Sequence, residues 1–512
     1  MSTLITVAIP YVNATPHLGY AFELIEADLS ARARRALGEP VRFLGGTDDY
    51  SLKNVLAAEA AGEPTQYFVD RHGRRFAELA GPLAISFDDF IQTSSDPRHR
   101  PAVERLWRQC ADNGDLYRRA YEGFYCVGCE QFYEPDDLDD SHCPDHATPL
   151  ERVVETNWFF RLSRYADQLT ALIDSNELEI DPAPFRNEIL AFLRSGVRDI
   201  SVSRSIERAR GWGIAVPDDP TQVIYVWFDA LVNYISALDY GTDGANYDTW
   251  WRNSDDRIHV VGKGITRFHA VFWPAFLLSA GEPLPTRIHV HPYLTVNGTK
   301  LSKSAGGGQS PTDLVADYGA DAVRWWIARD VAHIGDTDFT AQRLIDRANA
   351  DLANGLGNAV NRVATLRHRH LAATDIPSGC QPLDDTTHLP AAVARALADF
   401  DRREATNRIG NAIAALNQDI ENKAPWKLAQ QPERSDELAA LLGRYVSTLR
   451  SIADAIRPIT PHLADLIHTQ LDTESTTPPS PVFHRLDVLT EGSTGPTNRP
   501  IIAPFPGRPT RS

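Results

Sequence analysis

The sequence is short of cations, of cysteines and of long apolar runs, and each shortage removes a class of function. Its 51 Lys and Arg stand against 68 Asp and Glu, a formal charge of -17. Non-specific binding to nucleic acid scales with the cations presented to phosphates, which weighs against a generic nucleic-acid coat and makes any such contact local. Basic clusters at Arg34-Arg35, Arg118-Arg119 and Arg367 to His370 read equally well as solvated helix faces. No stretch approaches the roughly 18 apolar residues that cross a bilayer. The start, Met-Ser-Thr-Leu-Ile-Thr-Val-Ala-Ile-Pro, carries neither a basic lead nor a small-residue cleavage site. A cytoplasmic chain without membrane contact is the expectation. Five cysteines are an odd number, and three of them cluster while Cys110 and Cys380 stand apart as ordinary thiols. That pattern fits a metal site in a reducing compartment better than a disulfide framework.

What is present is an ordinary globular composition, 43% hydrophobic and 23% charged. At 512 residues the chain exceeds one core, so two to four domains are expected. Leu4 to Ile9 is a nearly continuous apolar run of the kind that makes a strand buried on both faces. After Pro16-His17-Leu18-Gly19, apolar residues at Phe22, Ile25, Leu29, Ala33 and Ala36 keep a helical period that stops at Gly38-Glu39-Pro40. Val41 to Leu44 reads as a second strand ending in Gly45-Gly46-Thr47-Asp48, which makes the opening a β-α-β unit with polar loops where ligands bind. Residues 114 to 210 break into short aromatic strands and charged loops, as an insertion would. Strand-like runs resume at Val223 to Phe228, Ile258 to Val261 and Arg287 to Val296, and are expected to complete the sheet. From Asn349 to His468 the pattern is that of a helical bundle. Beyond Thr490 a loose tail is expected.

Cys126-Val127-Gly128-Cys129 and Cys143-Pro144-Asp145-His146 are two knuckles thirteen residues apart. Three thiolates and one imidazole at that spacing suit one tetrahedral zinc ion. With no open coordination position the metal would be structural, stapling an insertion too small for a core of its own.

His17-Leu18-Gly19-Tyr20 lies where the first strand turns into its helix, so the imidazole and nearby amides face the helix's positive end, which suits a triphosphate. Lys300-Leu301-Ser302-Lys303-Ser304, between Asn297-Gly298 and Ala305-Gly306-Gly307-Gly308, is a loop carrying two ammonium groups that can follow charge onto a departing pyrophosphate. Alone, the first reads equally as a capping turn and the second as a solvated basic turn. Together, on either side of an inserted segment, they resemble the HxGH and KMSKS motifs of class I aminoacyl-tRNA synthetases. Ile9-Pro10-Tyr11-Val12-Asn13, Glu155 to Phe160 (ETNWFF), Tyr225 to Ala230 (YVWFDA) and Phe268 to Pro274 (FHAVFWP) narrow the resemblance to the methionyl-tRNA synthetase family, from Thr6 to about Asp487.

The resemblance implies an α/β fold: a Rossmann-type parallel-sheet catalytic domain split by a zinc-binding insertion, then an all-α anticodon-binding bundle. The expected boundaries are 1–113 and 213–295 for the two catalytic halves, 114–212 for the insertion, 296–348 for the KLSKS loop and stem-contact region, 349–490 for the bundle and 491–512 for a flexible tail. Ile9, Tyr11, Trp227, Ala230, Leu231, Tyr234, Ile265 and His269 match the family's methionine pocket, and Asp48 the carboxylate that holds the substrate ammonium. A linear thioether offers little to hydrogen-bond, so aromatic and aliphatic shape must select it. ATP is implied at His17, Gly19, Tyr20, Lys300, Ser302, Lys303 and Ser304, with catalysis by His17, Lys300 and Lys303 and magnesium on the phosphates. Asn358 and Arg362, one helical turn apart, and Pro425-Trp426 in a separate loop match the residues that read a CAU anticodon. The implied partners are tRNA(Met), ATP and L-methionine, and the implied state is a monomer.

Three positions depart from the family pattern: Tyr20 for the second histidine of HxGH, Asp48-Asp49-Tyr50-Ser51 for D-E-H-G or D-A-H-G, and Gly264 for the aspartate of G-K-D-I. Gly264 removes a carboxylate that in the family organises the ribose and an arginine, here Arg204. The phenol of Tyr20 is expected to donate to phosphate in place of an imidazole. The departures leave room for a specialised second-copy synthetase or a non-catalytic tRNA-binding relative.

Overall fold

The computed structural model describes residues 2–126, 131–133, 142–143, 148–300, 310–371, 379–383, 386–472 and 478–487. The first β-α-β unit is as expected: β1 (Thr3–Val7), helix α1 (Leu18–Ala36), β2 (Val41–Thr47), then α2 (Leu52–Ala61), α3 (Thr65–Ala77), β3 (Asp89–Gln92) and α4 (His99–Asp112). A second, antiparallel sheet follows, built from β4 (Leu116–Cys126), β5 (Gln131–Tyr133) and β6 (Glu151–Phe160). β7 (Glu179–Asp181) comes next, and β8 (Ile200–Ser201) returns to the edge of the antiparallel sheet beside β6. β9 (Ser203–Ser205), β10 (Ala215–Val216) and β11 (Asp219–Ile224) form a small three-stranded sheet, and β12 (Asp256–Gly262) and β13 (Arg287–His291) complete the main one. β14 (Leu294–Val296), β15 (Thr299–Lys300) and β16 (Thr337–Asp338) make a third small sheet, and helices fill the rest of the described chain.

The main sheet is parallel, ordered β3-β2-β1-β12-β13-β7. β1 alternates between two cores. Ile5 and Val7 point into the one shared with α1, and Leu4 into the one shared with α4 and the helix Trp273–Ala280. That two-sided burial explains the unbroken apolar run. The α1 core also runs without interruption into the carboxyl-terminal helices, through Leu397, Ile409, Leu442 and Ile456. The carboxyl-terminal helices are therefore packed against α1 on one face of the main sheet.

The expected strands differ from the structure in three places. Val223 to Phe228 does not join the main sheet: β11 ends at Ile224 and Val226–Leu231 is a helix. A short helix buried on all sides shows no polar face, so its run of apolar residues imitates a strand. Arg287 to Val296 is two strands broken at Pro292, which has no amide to donate to a ladder. Glu179–Asp181, inside the expected insertion, pairs with β13 as the edge of the main sheet.

Candidate active site

The chain winds outward in opposite directions from β1 and β12, so the crevice beyond their carboxyl ends is the switch point at which open parallel sheets take ligands. β1 leads through Ile9, Pro10 and Tyr11 to His17, β2 ends beside Asp48, and β12 ends at Gly262-Lys263-Gly264. His17 is the N-cap of α1, and its Nδ1 accepts the Tyr20 amide at 3.3 Å. In a neutral ring the proton is then on Nε2, the donor form that a phosphate oxygen needs at a helix amino terminus. A Cβ on Gly19 would lie 3.0 Å from this imidazole. The glycine therefore lets the ring fold back over the first turn.

Tyr20 departs from expectation. It is 6% exposed, packs against Phe76 at 5.4 Å between ring centroids, and buries its hydroxyl without a hydrogen-bond partner among the described residues. Burial, then Glu23 and Tyr234, hold its pKa well above the usual phenol value. Its side chain is a core element, at odds with donation to a phosphate.

The residues expected to line an amino-acid pocket lie near one another. Tyr11 and Asp48 form a parallel bridge, with the Asp48 amide donating to the Pro10 carbonyl at 3.0 Å. Trp227 meets Tyr11 edge-on at 6.4 Å, stacks on Phe268 at 3.6 Å, and lies 6.5 Å from His269. Tyr234 and His269 are hydrogen-bonded at 2.7 Å, and His269 Nδ1 is 2.9 Å from the Ile265 carbonyl. Ala230 and Leu231 are buried on the helix beside Trp227, and Ile9 approaches Gly46, where a Cβ would meet its Cγ2 at 3.0 Å. Two residues were missed. Phe268 completes the stack under Trp227, and Lys53 holds its ammonium 5.3 Å from the Tyr11 ring centroid. The signal for Lys53 was its place on the first turn of the helix that follows Asp48.

The lysine loop is rooted at the same edge of the sheet. β13 ends at His291, whose Nε2 is 3.0 Å from Glu23 Oε2 on α1, and β14 follows at once. The backbone of Lys300 pairs with Thr295. Asp338 Oδ1 accepts from Thr295 Oγ1 at 2.8 Å and from the Gly298 amide at 2.9 Å, fixing the hairpin. Ser302, Lys303, Ser304 and the side chain of Lys300 lie outside the described residues. Lys263 binds both oxygens of Asp336, at 2.7 and 2.9 Å, and Arg204 lies between the rings of Tyr125 and Tyr225.

With this geometry in place, likeness to known proteins becomes informative. The family description "tRNA synthetases class I (M)" matches residues 3–152 and 129–364. The "Methionine--tRNA ligase" of Thermotoga maritima is 35% identical over 98% of this chain and 80% of its own length. The chain belongs to the methionyl-tRNA synthetase family. The Nostoc methionine--tRNA ligase is 37% identical over 91% of this chain and 89% of its own. A Mycobacterium tuberculosis methionyl-tRNA synthetase, solved bound by methionyl-adenylate, superposes with a TM-score of 0.86 and 33% identity, covering 94% of this chain and 100% of that one. By membership the chain is an aminoacyl-tRNA ligase of class I.

Two further groups of residues singled out in the sequence lie elsewhere on the chain. In the bundle, Asn358 is exposed at the start of the helix Asn358–His370, directly after a wider π-type turn over Asn349–Gly357. Arg362 lies one turn on, 2.8 Å from Glu421 and 5.2 Å from the Trp426 ring centroid. Pro425 and Trp426 open a short helix, Pro425–Leu428, where a loop was expected; Ala424 before it takes a left-handed turn at φ 43°. Of the clustered cysteines, Cys126 ends β4 and Cys143 pairs its amide with the Thr148 carbonyl, both buried. Cys129 and His146 lie outside the described residues, among which no three potential metal ligands gather. Two buried thiols, one at the end of β4 and one outside the strands, are of the soft donor type that a tetrahedral zinc takes.

Proposed function

We propose that this chain joins methionine to tRNA(Met) in two steps at the β1–β12 crevice. A carboxylate oxygen of methionine attacks the α-phosphate of ATP; the bond to the pyrophosphate breaks, giving methionyl-adenylate. A terminal adenosine hydroxyl of the tRNA then attacks the methionyl carbonyl, and AMP leaves. The observation that carries this reading is the junction of the His17-capped helix with the root of the lysine hairpin, joined by Glu23 and His291 beside a pocket of Tyr11, Trp227, Tyr234 and His269.

Asp48, 2% exposed at the pocket's edge, holds the substrate ammonium. His17 offers its Nε2 proton to the triphosphate, and Lys300 and Lys303 follow the charge that grows on the pyrophosphate. Gly19 and the neighbouring amides shape the cradle, and magnesium accompanies the triphosphate. Cys126, Cys129, Cys143 and His146 would hold one zinc ion, which when bound supplies a structural cross-link and no chemistry. Asn358, Arg362, Pro425 and Trp426 read the anticodon. The chain works as a monomer in the cytoplasm; among the described residues no helix is long and apolar enough to cross a membrane.

Methionine-dependent exchange of pyrophosphate into ATP tests the reading. Lys303→Ala should slow adenylate formation far more than it weakens methionine binding, and equal effects on both would remove Lys303 from the transition state. Metal analysis of the purified chain should return one zinc, lost in Cys143→Ser. A second reading rests on the departures at Tyr20, Tyr50 and Gly264: a specialised copy that resists an inhibitor or serves a biosynthetic pathway. Titration of an adenylate analogue against this chain and a family member with the usual residues separates the two, since a housekeeping copy would share the other's sensitivity.

A further inference from the structure

Trp212 sits in the tight turn between β9 and β10, at the end of the segment expected as an insertion. The turn is bent hard: Arg210, Gly211 and Gly213 take left-handed backbone at φ 53°, 71° and 144°, and a Cβ on Gly213 would lie 3.2 Å from that of Val223. Such backbone is unfavourable for arginine. What it achieves is to carry two side chains across to the segment after β2. The Arg210 guanidinium pairs with Glu59 on α2, the Trp212 and Tyr50 rings lie 5.5 Å apart between centroids, and Trp212 Nε1 donates to the Asp49 carbonyl at 2.8 Å. That carbonyl has a second donor: Nδ2 of the fully buried Asn54 donates to it and to the Asp48 carbonyl, both at 2.9 Å. On the amide side, Asp48 donates to the Pro10 carbonyl at 3.0 Å and Asp49 to Thr93 Oγ1 at 2.9 Å. The backbone at Asp48 is thus held by residues that follow β1 and β3 and by α2, all around the main sheet. Trp212 adds a hold from outside it.

We propose that Trp212 is a positioning residue for Asp48: by holding the Asp49 carbonyl it aims the neighbouring carboxylate, and so makes amino-acid binding depend on where the small sheet of β9, β10 and β11 sits. The inference rests on the reading of Asp48 as the group that takes the substrate ammonium. A charge in a buried site is worth most at one distance and angle, so a small tilt of its peptide weakens the ammonium contact. Trp227, Tyr234 and His269 stand on other elements and keep their own contacts. The consequence is specific to one functional group. Loss of the Trp212 N–H weakens ligands that carry an ammonium and spares those that lack one, whereas a loosened fold weakens both. Phenylalanine separates the two parts of the contact, since it keeps a ring beside Tyr50 and removes the donor.

The test is inhibition of methionine-dependent pyrophosphate exchange by methioninol and by its des-amino counterpart, two alcohols that differ only in the amine, in the wild-type chain and in Trp212→Phe. Methioninol should bind the variant about three- to tenfold more weakly, the worth of one lost hydrogen bond, while the des-amino alcohol should hardly change. A shift of about threefold or more in the ratio of the two inhibition constants is the expected result. A smaller shift overturns the proposal, because Trp212 then acts on the whole pocket or not at all. Should Trp212→Phe fail to fold, Arg210→Gly is read in the same way, since glycine takes the left-handed backbone freely and the turn loses its tie to Glu59. A wild-type chain that shows no methionine-dependent exchange, or does not distinguish the two alcohols, would instead sink the reading of the pocket on which the proposal rests, a result distinct from either of these.

Discussion

Arg402, at the start of the helix Arg402–Lys423, donates through Nε to Glu26 Oε1 on α1 at 2.9 Å, and both side chains are buried. The same guanidinium donates to the carbonyls of Ile327 and Val331, while Arg324 makes a parallel bond from its own helix to Asp28 on α1 at 2.7 Å. The helix that begins at His17 is therefore gripped by two arginines along its length. Burial alone would raise the pKa of Glu26; Arg402 and His289 overcome that and lower it to about 2.

Arg402→Met should cost about 3–5 kcal/mol, because it leaves Glu26 charged and buried without its partner. Replacing both, as Arg402→Met with Glu26→Gln, should recover most of the loss. Urea unfolding of the wild-type chain and the two variants measures this, and a double variant as weak as the single would show that packing of the arginine stem, not charge, is what matters.

His269 ties stability to pH. Unfolded, a histidine titrates near 6.5, whereas the folded ring is held to about 4 by burial against the weaker pull of the Ile265 carbonyl. The folded state thus refuses a proton that the unfolded chain takes, so this contribution is intact above pH 6.5 and fades as pH falls toward 4. His259, lowered further by burial, acts in the same direction, while His289, raised by Asp181 and Glu26 despite burial, opposes it. His269→Gln should therefore lose less stability than the wild-type chain between pH 7 and pH 5. Parallel losses in calorimetric unfolding would contradict the buried, neutral assignment.

Much of this was legible where local chemistry sets the outcome. His17 and Gly19 could be read because a helix cap and a ring folded over it need those two residue types at that spacing. The pocket aromatics could be read as a set, although their mutual geometry could not, since Trp227 and Phe268 come together only when the helix Val226–Leu231 packs against the segment after β12. The strand Glu179–Asp181 stayed hidden because three residues carry no period, and its place is set by β13 rather than by itself. The union of bundle and sheet in one core was equally invisible, since amphipathic helices do not announce which partner they cover. Tyr20 misled for a related reason: its motif position pointed to the nucleotide, while its burial follows from Phe76 on a neighbouring helix.

Arg362 is held by Glu421 at 2.8 Å and lies beside Trp426. An anticodon base or phosphate that engages this guanidinium must displace the carboxylate. Glu421→Gln should thus tighten tRNA binding about three- to tenfold at low salt, with the gain shrinking as salt rises. Arg362→Ala should weaken binding. Neither should alter methionine-dependent pyrophosphate exchange, which uses no tRNA. Filter binding across a salt series reads the effect, and an unchanged affinity in Glu421→Gln would mean that the pair is not broken by RNA.

Gly264 stands exposed in the turn after β12, and its φ is not in the left-handed region, so a side chain can be added there without backbone strain. Its neighbour Lys263 is tied to Asp336, and Arg204 is buried between two tyrosine rings. The turn therefore lacks the carboxylate that would link ribose to arginine in the family pattern. Gly264→Asp should lower the KM for ATP about tenfold, the worth of one hydrogen bond to a charged group. The KM for methionine and the thermal midpoint should hardly move. Gly264→Asn fills the same space without the charge and should recover little. Exchange kinetics at varied ATP decide the matter. Equal effects of Asp and Asn would mean that the space is filled without a contact to the nucleotide, and no effect of either would place the ribose elsewhere in the crevice.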